Sequence, residues 1–266
     1  MADLTQIKLS SKATDDFWKI DVLYEDDHLL ALNKPALLLT SPDRYDPNRP
    51  NLMKLLHAGI ATQADWAKAR GLTYLANAHR LDFETSGAIL LAKDKPTLIH
   101  LANAFGNAKI SKEYIALCHS SPTYEEFELQ APLGPHPVKL NLMRVDKKMG
   151  KPAETRFVVQ ERFQRYCLLQ CFPRTGRTHQ IRVHLAHLDH PIVGDSLYGG
   201  KPLFLSSLKR DYQFKKNEPE RALISRCALH AQGLEFEHPN GNERVKIVAP
   251  LPKDLTVAAK YLRKFQ

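Results

Sequence analysis

The chain has 266 residues, 43% hydrophobic and 25% charged, enough for one large domain or two small ones with a real core. No apolar run is long enough to span a bilayer, and the polar start Met1–Ser11 lacks the apolar centre of a secretion signal, which points to the cytoplasm. Lys and Arg number 38 against 29 Asp and Glu, a net charge of +9; such a surplus suits a polyanionic partner or simply a basic surface.

In chain order, residues 1–20 carry a weak structural signal and read as an N-terminal extension ahead of one main domain over 21–266. Val22-Leu23-Tyr24, an acidic turn at Glu25–Asp27 and Leu29–Leu32 read as two short strands. Pro42, Pro47 and Pro50 mark a loop, and Leu52–Arg70 reads as helix. Gly87–Ala92 suits a buried strand. Asp94 before Pro96 is a helix start, and Leu98, Leu101, Ala102 and Phe105 form its apolar stripe.

Lys112–Leu117 returns as a strand. Leu140–Met143, a turn around Lys148–Lys151 and Thr155–Val159 suggest a basic hairpin. Tyr166–Phe172 reads as a buried strand leading to a Thr175-Gly176 turn. A helix over about Thr178–Leu188 follows, with Ile181, Leu185 and Leu188 as its buried stripe. Lys201–Arg226 is rich in charge and poor in periodicity, an exposed insertion. Leu229–Phe236 and Val245–Val248 close as a strand pair, and Val257–Phe265 as a terminal helix. Strands outnumber helices without alternating with them, which argues for an α+β fold. Cys118, Cys167, Cys171 and Cys227 have no CxxC spacing and read as four reduced thiols.

Three stretches are able to carry chemistry. In His79-Arg80-Leu81-Asp82-Phe83-Glu84-Thr85-Ser86-Gly87, an extended chain puts Arg80 and Asp82 on one face. A carboxylate beside an arginine stays ionised and serves as nucleophile or base, although by composition alone a surface ion pair is commoner. In Arg174-Thr175-Gly176-Arg177-Thr178-His179-Gln180-Ile181-Arg182, a glycine turn opens onto a helix N-terminus that suits phosphate. Arg182 flanks the buried stripe, within reach of a partner in a cleft. In Lys112-Glu113-Tyr114, Lys112 and Tyr114 share a strand face, and the ring suits base stacking or core packing. His179, His184, His187 and His190 crowd one helix, but positions 183–188 lack the HExxH pattern and no carboxylate has ligand spacing, so no metal is expected.

Together these stretches resemble the RluA-type family of pseudouridine synthases. The matching pieces are Leu23-Tyr24-Glu25-Asp26 with Asn33-Lys34-Pro35, the block His79–Gly87, Lys112-Glu113-Tyr114, the run Pro173–Gly199 and Leu229-His230-Ala231. The resemblance implies a mixed, largely antiparallel sheet with flanking helices and a central RNA-binding cleft. It makes Asp82 the catalytic aspartate, Tyr114 the base-stacking tyrosine and Arg182 the arginine paired with the aspartate. Arg80 would help displace the target uridine. Two departures stand out. The family usually carries Gly two residues after the Asn-Lys-Pro region, whereas here Pro35 is followed by Ala36 and Leu37. Many relatives carry an N-terminal S4 domain, for which the first twenty or so residues leave no room.

Pseudouridine forms when the N1–C1′ bond of uridine breaks, the uracil turns and C5 rejoins the sugar. A glycosidase normally needs two carboxylates because it handles water and a leaving group. Here no water is added, so one carboxylate held ionised by Arg182 suffices, by attack on the sugar carbon or removal of a sugar proton. The expectation is a cofactor-free uridine isomerase acting on structured RNA, rRNA or tRNA, with no obligate protein partner. Arg177, Lys112, Lys147, Lys148 and Lys151 join Arg80 as RNA contacts. The alternatives are a non-catalytic RNA-binding protein of the same fold, or a metal-dependent hydrolase built on the histidine-rich helix.

Overall fold

A computed structural model describes residues 5–11, 13–43, 46, 48–214, 218–241 and 243–265. Pro47 of the expected loop, 1–4 and 12 of the expected extension and 215–217 of the expected insertion lie outside the described residues. In chain order the elements are β1 (Gln6–Ser11), β2 (Asp16–Glu25), β3 (Leu29–Lys34), α1 (Leu52–Ala61), α2 (Asp65–Lys68), β4 (Ala76–Asn77), β5 (Ser86–Ala92), α3 (Lys95–Gly106) and β6 (Ser111–His119). They continue with β7 (Glu126–Gln130), β8 (Leu133–Pro135), β9 (Met143–Val145), β10 (Glu154–Arg162), β11 (Tyr166–Pro173), α4 (Gln180–His187), β12 (Leu229–Glu237), β13 (Arg244–Val248) and α5 (Lys253–Phe265). Strands predominate and do not alternate with helices, so the α+β expectation holds.

The chain forms two compact units, Met1–Lys112 with Ala231–Pro250 and Glu113–His230 with Leu251–Gln266. In the first, strands run in the order β1-β2-β3-β5-β12, with β13 on β12 and β4 on β5. Leu29, Ala31, Leu90 and Phe236 lie at the centre of its core. β5 is buried along its whole length, which is why its sequence is a continuous apolar run rather than an alternation. Gly87, its second residue, has φ 117°, and a Cβ there would sit 2.2 Å from the carbonyl oxygen of Ala231. Only glycine lets the backbones approach so closely. The Asp94 side chain caps α3 by accepting from the Thr97 amide at 2.7 Å, as its sequence signal implies. Of the stripe expected on α3, Leu101 is buried and Leu98 and Phe105 half-buried, but Ala102 is exposed; Thr97 takes its place on the inner face.

The second unit carries β6-β11-β10-β7 and a separate pair, β8-β9. Its core joins Phe157, Cys118, Cys167, Cys171 and Leu169 to Leu185 of α4 and Leu262 of α5. All four cysteines are free and buried, packed as small apolar groups.

Four expectations need correction. The described part of the extension over 1–20 lies mostly in strands: β1 pairs with β2 from Gln6↔Asp21 to Ser11↔Asp16, and Ile7, Leu9 and Ile20 are buried. Two apolar residues on a six-residue strand are too few for a periodicity to show. The helix over Leu52–Arg70 breaks at Thr62–Ala64, with Gln63 at φ 52°. Trp66 folds back onto α1 there, and a Cβ on Gly59 would meet the ring at 2.3 Å. In an unbroken helix, residue 66 would stand about 10 Å further along the axis from residue 59.

The basic hairpin is the third. β9 pairs with β8, while β10 pairs with β7 and β11. Lys151 bridges Leu133, so β8 intervenes where the sequence suggests direct pairing. The insertion over Lys201–Arg226 is the fourth. Leu203, Leu208 and Ile224 are buried, as is Arg226. The amide of Leu203 donates to Ile224 O at 2.9 Å, and Arg226 grips Asp254 of α5 through Nε and Nη2 at 2.7 and 3.0 Å. The segment is pinned at both ends, with 209–211, 213, 214, 218 and 219 exposed between them.

Candidate active site

In the first unit, burial varies along the segment before β5: Arg80 exposed, Leu81 buried, Asp82 half-buried. Leu81 is clamped on both sides by one hydroxyl. Thr40 Oγ1 accepts from the Leu81 amide at 3.1 Å and donates to the Leu81 carbonyl at 3.0 Å. That clamp fixes the inward residue, which Arg80 and Asp82 flank in the chain. The Thr85 amide donates to Asp82 O at 3.2 Å, closing the turn into β5.

The loop after β3 supports the same block. Lys34 is fully buried, and its Nζ donates to the carbonyls of Pro35 and Leu38 at 2.8 and 2.7 Å. The Leu37 amide donates to Phe83 O at 2.7 Å, and the Arg49 guanidinium lies 4.0 Å over the Phe83 ring. His79 accepts from the Leu90 amide through Nε2 at 3.0 Å and its ring lies 4.6 Å from that of Phe105. Burial, helped by the Lys112 charge, pushes His79 down to about 3, so the imidazole is neutral and acts as a structural acceptor. Lys112 is itself buried, which lowers it to about 8. Its ammonium is therefore drawn into the interior rather than standing out on the surface.

In the second unit, α4 is buried on nearly every side. Arg182 is 3% exposed, and its Nε and Nη2 donate to Asp195 Oδ2 and Oδ1 at 2.7 Å each. The guanidinium also lies 5.0 Å from the centre of the Tyr198 ring. The Tyr198 hydroxyl is 2.7 Å from Nδ1 of His179 and accepts from the Met143 amide at 3.0 Å, tying the start of α4 to β9. His179 occupies the left-handed region at φ 56° with no side-chain cap; the turn before it is held by Gln180. The Gln180 Oε1 accepts from Thr175 Oγ1 and the Arg177 amide at 2.7 and 3.0 Å.

The turn after β9 is built on Asp146, whose Oδ1 accepts from the amides of Lys148 and Met149 at 3.1 Å each. Lys147, Lys148 and Lys151 are exposed on it. Arg177 joins them, because its Nε donates to Pro152 O at 3.0 Å. Tyr114 on β6 is half-buried and packs against the core of this unit. Three of the four clustered histidines, His179, His184 and His190, are bonded to protein groups. His184 has Thr155 Oγ1 at 2.9 Å and Ala131 O at 3.0 Å on its two ring nitrogens, and His190 Nδ1 is 2.6 Å from Ser120 Oγ.

Residues 28–187 match the family model described as RNA pseudouridylate synthase. The chain belongs to that family. A "Ribosomal large subunit pseudouridine synthase D" of Haemophilus ducreyi is 35% identical over 252 residues, covering 92% of this chain and 71% of the relative. Its namesake in Xylella fastidiosa is 38% identical over 251 residues, covering 92% and 70%. Among solved structures, human RNA Pseudouridylate Synthase Domain Containing 4 superposes with a TM-score of 0.67 at 22% identity, over 91% of this chain and 92% of that one, which speaks to the fold. The synthase is thus an isomerase acting on RNA. Among its described residues no helix is long and apolar enough to cross a membrane.

Of the residues singled out from sequence, Arg80 and Asp82 flank the clamped Leu81 in the first unit, one exposed and one half-buried. The structure gathers Lys147, Lys148, Lys151 and Arg177 on the second. Asp195, Tyr198 and Thr40 stand outside that set. The first two have a signal only as part of the matching run Pro173–Gly199; Thr40 has none, since its role depends on a segment 41 residues away.

Proposed function

We propose that this synthase isomerises uridine to pseudouridine in ribosomal RNA of the large subunit, in the cytoplasm, with Asp82 as the reacting carboxylate. The substrate reading is supported by relatives about 35% identical over 92% of the chain that carry the name of large-subunit ribosomal pseudouridine synthases. The observation that carries Asp82 is its setting. Its neighbour Leu81 is clamped by Thr40 through both backbone groups, so the half-buried carboxylate sits in a tethered segment just ahead of β5, two residues from the exposed Arg80. Arg182 supplies the cation and Tyr114 the stacking ring, the roles that the family resemblance gives them.

In this reading the uridine is unstacked, a step to which Arg80 contributes by occupying the vacated place. The ionised carboxylate then acts on the sugar while the N1–C1′ bond breaks. The uracil leaves as a delocalised anion, turns within the pocket and rejoins through C5; the C5 proton is released to water and N1 takes up a proton, so the product is an isomer of uridine. Attack at the sugar carbon and removal of a sugar proton both require the negative charge.

Asp82→Asn keeps the size of the side chain and removes that charge. Tritium release from a large-subunit rRNA transcript carrying 5-tritiated uridine is expected to fall to background, a loss of many orders of magnitude. Melting temperature and RNA affinity are expected to stay near wild type, because phosphate contacts dominate affinity. Release at the wild-type rate would sink the assignment of Asp82. Wild-type protein that binds RNA without any turnover would favour the non-catalytic alternative.

A further inference from the structure

We propose that the synthase holds the sugar-phosphate backbone of its RNA in a second basic groove, built from the turn after β10, the segment following Leu208 and the end of α5. The proposal rests on RNA being the substrate. The groove encloses about 940 Å³ and is lined by Arg165, Lys209, Arg210, Arg263 and Lys264, with Asp211 the one carboxylate among its described lining residues. All of these belong to the second unit. Arg263 is neutralised by Glu161, which accepts from its Nε and Nη2 at 2.9 and 2.8 Å. Among the described residues no carboxylate pairs with Arg165, Lys209, Arg210 or Lys264. These four cations against Asp211 leave a surplus of three positive charges (4 − 1) in one concavity.

Such a concentration of like charge is costly unless a polyanion is to fill it, because the cations repel one another across low-dielectric walls. Two observations favour nucleic acid over an acidic protein. The charges come from three separate chain segments and follow a groove, which suits a succession of phosphates. The apolar groups beside them are withdrawn, with Leu208 6% exposed and Phe265 half-buried, whereas protein interfaces need an apolar anchor at their centre. Arg165 is also pre-set, since its Nη2 donates to Ser207 O at 3.0 Å. The groove lies outside the turn bearing Lys147, Lys148 and Lys151, and nothing in the chemistry of the uridine requires it.

The test replaces Lys209, Arg210 and Lys264 together by Gln, with Lys209→Arg/Lys264→Arg as the charge-keeping control. All three positions are exposed, so melting should be unchanged. The probe is a transcript of large-subunit rRNA. The slope of log K against log salt is expected to become shallower by about two to three, roughly one per lost phosphate contact. KM for the transcript should rise at least several-fold while kcat at saturation is kept, and the Arg control should behave as wild type. A triple variant with wild-type slope and KM overturns the proposal and hands the groove to a protein partner; a fall in kcat at unchanged KM overturns it too. Because the slope is a binding measurement, failure of the substrate assignment shows separately, as wild-type enzyme that binds the transcript without turning it over.

Discussion

The Arg182–Asp195 pair is the residue-scale feature on which the synthase depends most. Its side chains are 4% and 0% exposed, so neither charge has water to fall back on. The geometry is two-pronged, with the planar guanidinium matched to the carboxylate and the Tyr198 ring beside it. Removing one partner of a buried pair leaves the other uncompensated, which typically costs about 3–5 kcal/mol. Asp195→Ala is therefore expected to lower the melting temperature sharply. Asp195→Asn keeps the volume and should fold, yet turnover should drop at least about tenfold, the equivalent of some 1.4 kcal/mol of lost positioning, with KM little changed. Arg182→Lys should behave like the Asn variant or worse, because an ammonium cannot make both contacts at once. Wild-type kcat in both conservative variants would reduce the pair to a purely structural tie.

At the scale of elements, the loop after β3 shows how a local departure is absorbed. Leu37 sits at φ 62°, where the family resemblance leads one to expect glycine, and the turn forms nonetheless. Its amide is anchored on Phe83 O at 2.7 Å, and buried Lys34 draws the carbonyls of Pro35 and Leu38 together. A left-handed conformation costs an L-residue roughly 1–2 kcal/mol. The Leu37 side chain is 54% exposed and returns little of that cost through packing. Leu37→Gly should thus stabilise the synthase by up to about 1 kcal/mol after allowing for the extra freedom of glycine in the unfolded chain. That corresponds to a rise in melting temperature of about 2–4 °C. A lower melting temperature in a thermal scan would show that the leucine contributes packing that outweighs its backbone strain.

For the molecule as a whole, the +9 charge acts through where the cations sit. The turn after β9 is held by Asp146 and backbone amides rather than by its lysines, so Lys147, Lys148 and Lys151 are available to a partner at no cost to the fold. Replacing all three with Ala should weaken RNA binding and make the salt slope shallower by up to about three contacts' worth, with melting unchanged. An unchanged slope and affinity would make them a solvated turn. Arg177, tied to Pro152 O, extends the same surface.

The sequence by itself determined what depends on short-range pattern. Gly87–Ala92, Tyr166–Phe172 and the capped helix after Asp94 were legible because burial imposes a period, or a continuous apolar run, on neighbouring residues. The blocks around Asp82, Tyr114 and Arg182 were legible because their residue types at fixed spacing are specific to the family. Tertiary structure alone decided which strand pairs with which. β9 found β8 rather than β10, and Gln6–Ser11 became a strand only because β2 supplies its hydrogen bonds. It also decided the partners of buried charge. Asp195 reaches Arg182 and Thr40 reaches Leu81 through loops whose closure is set by packing, and side chains that meet only after the chain has folded back leave no periodicity in the sequence between them.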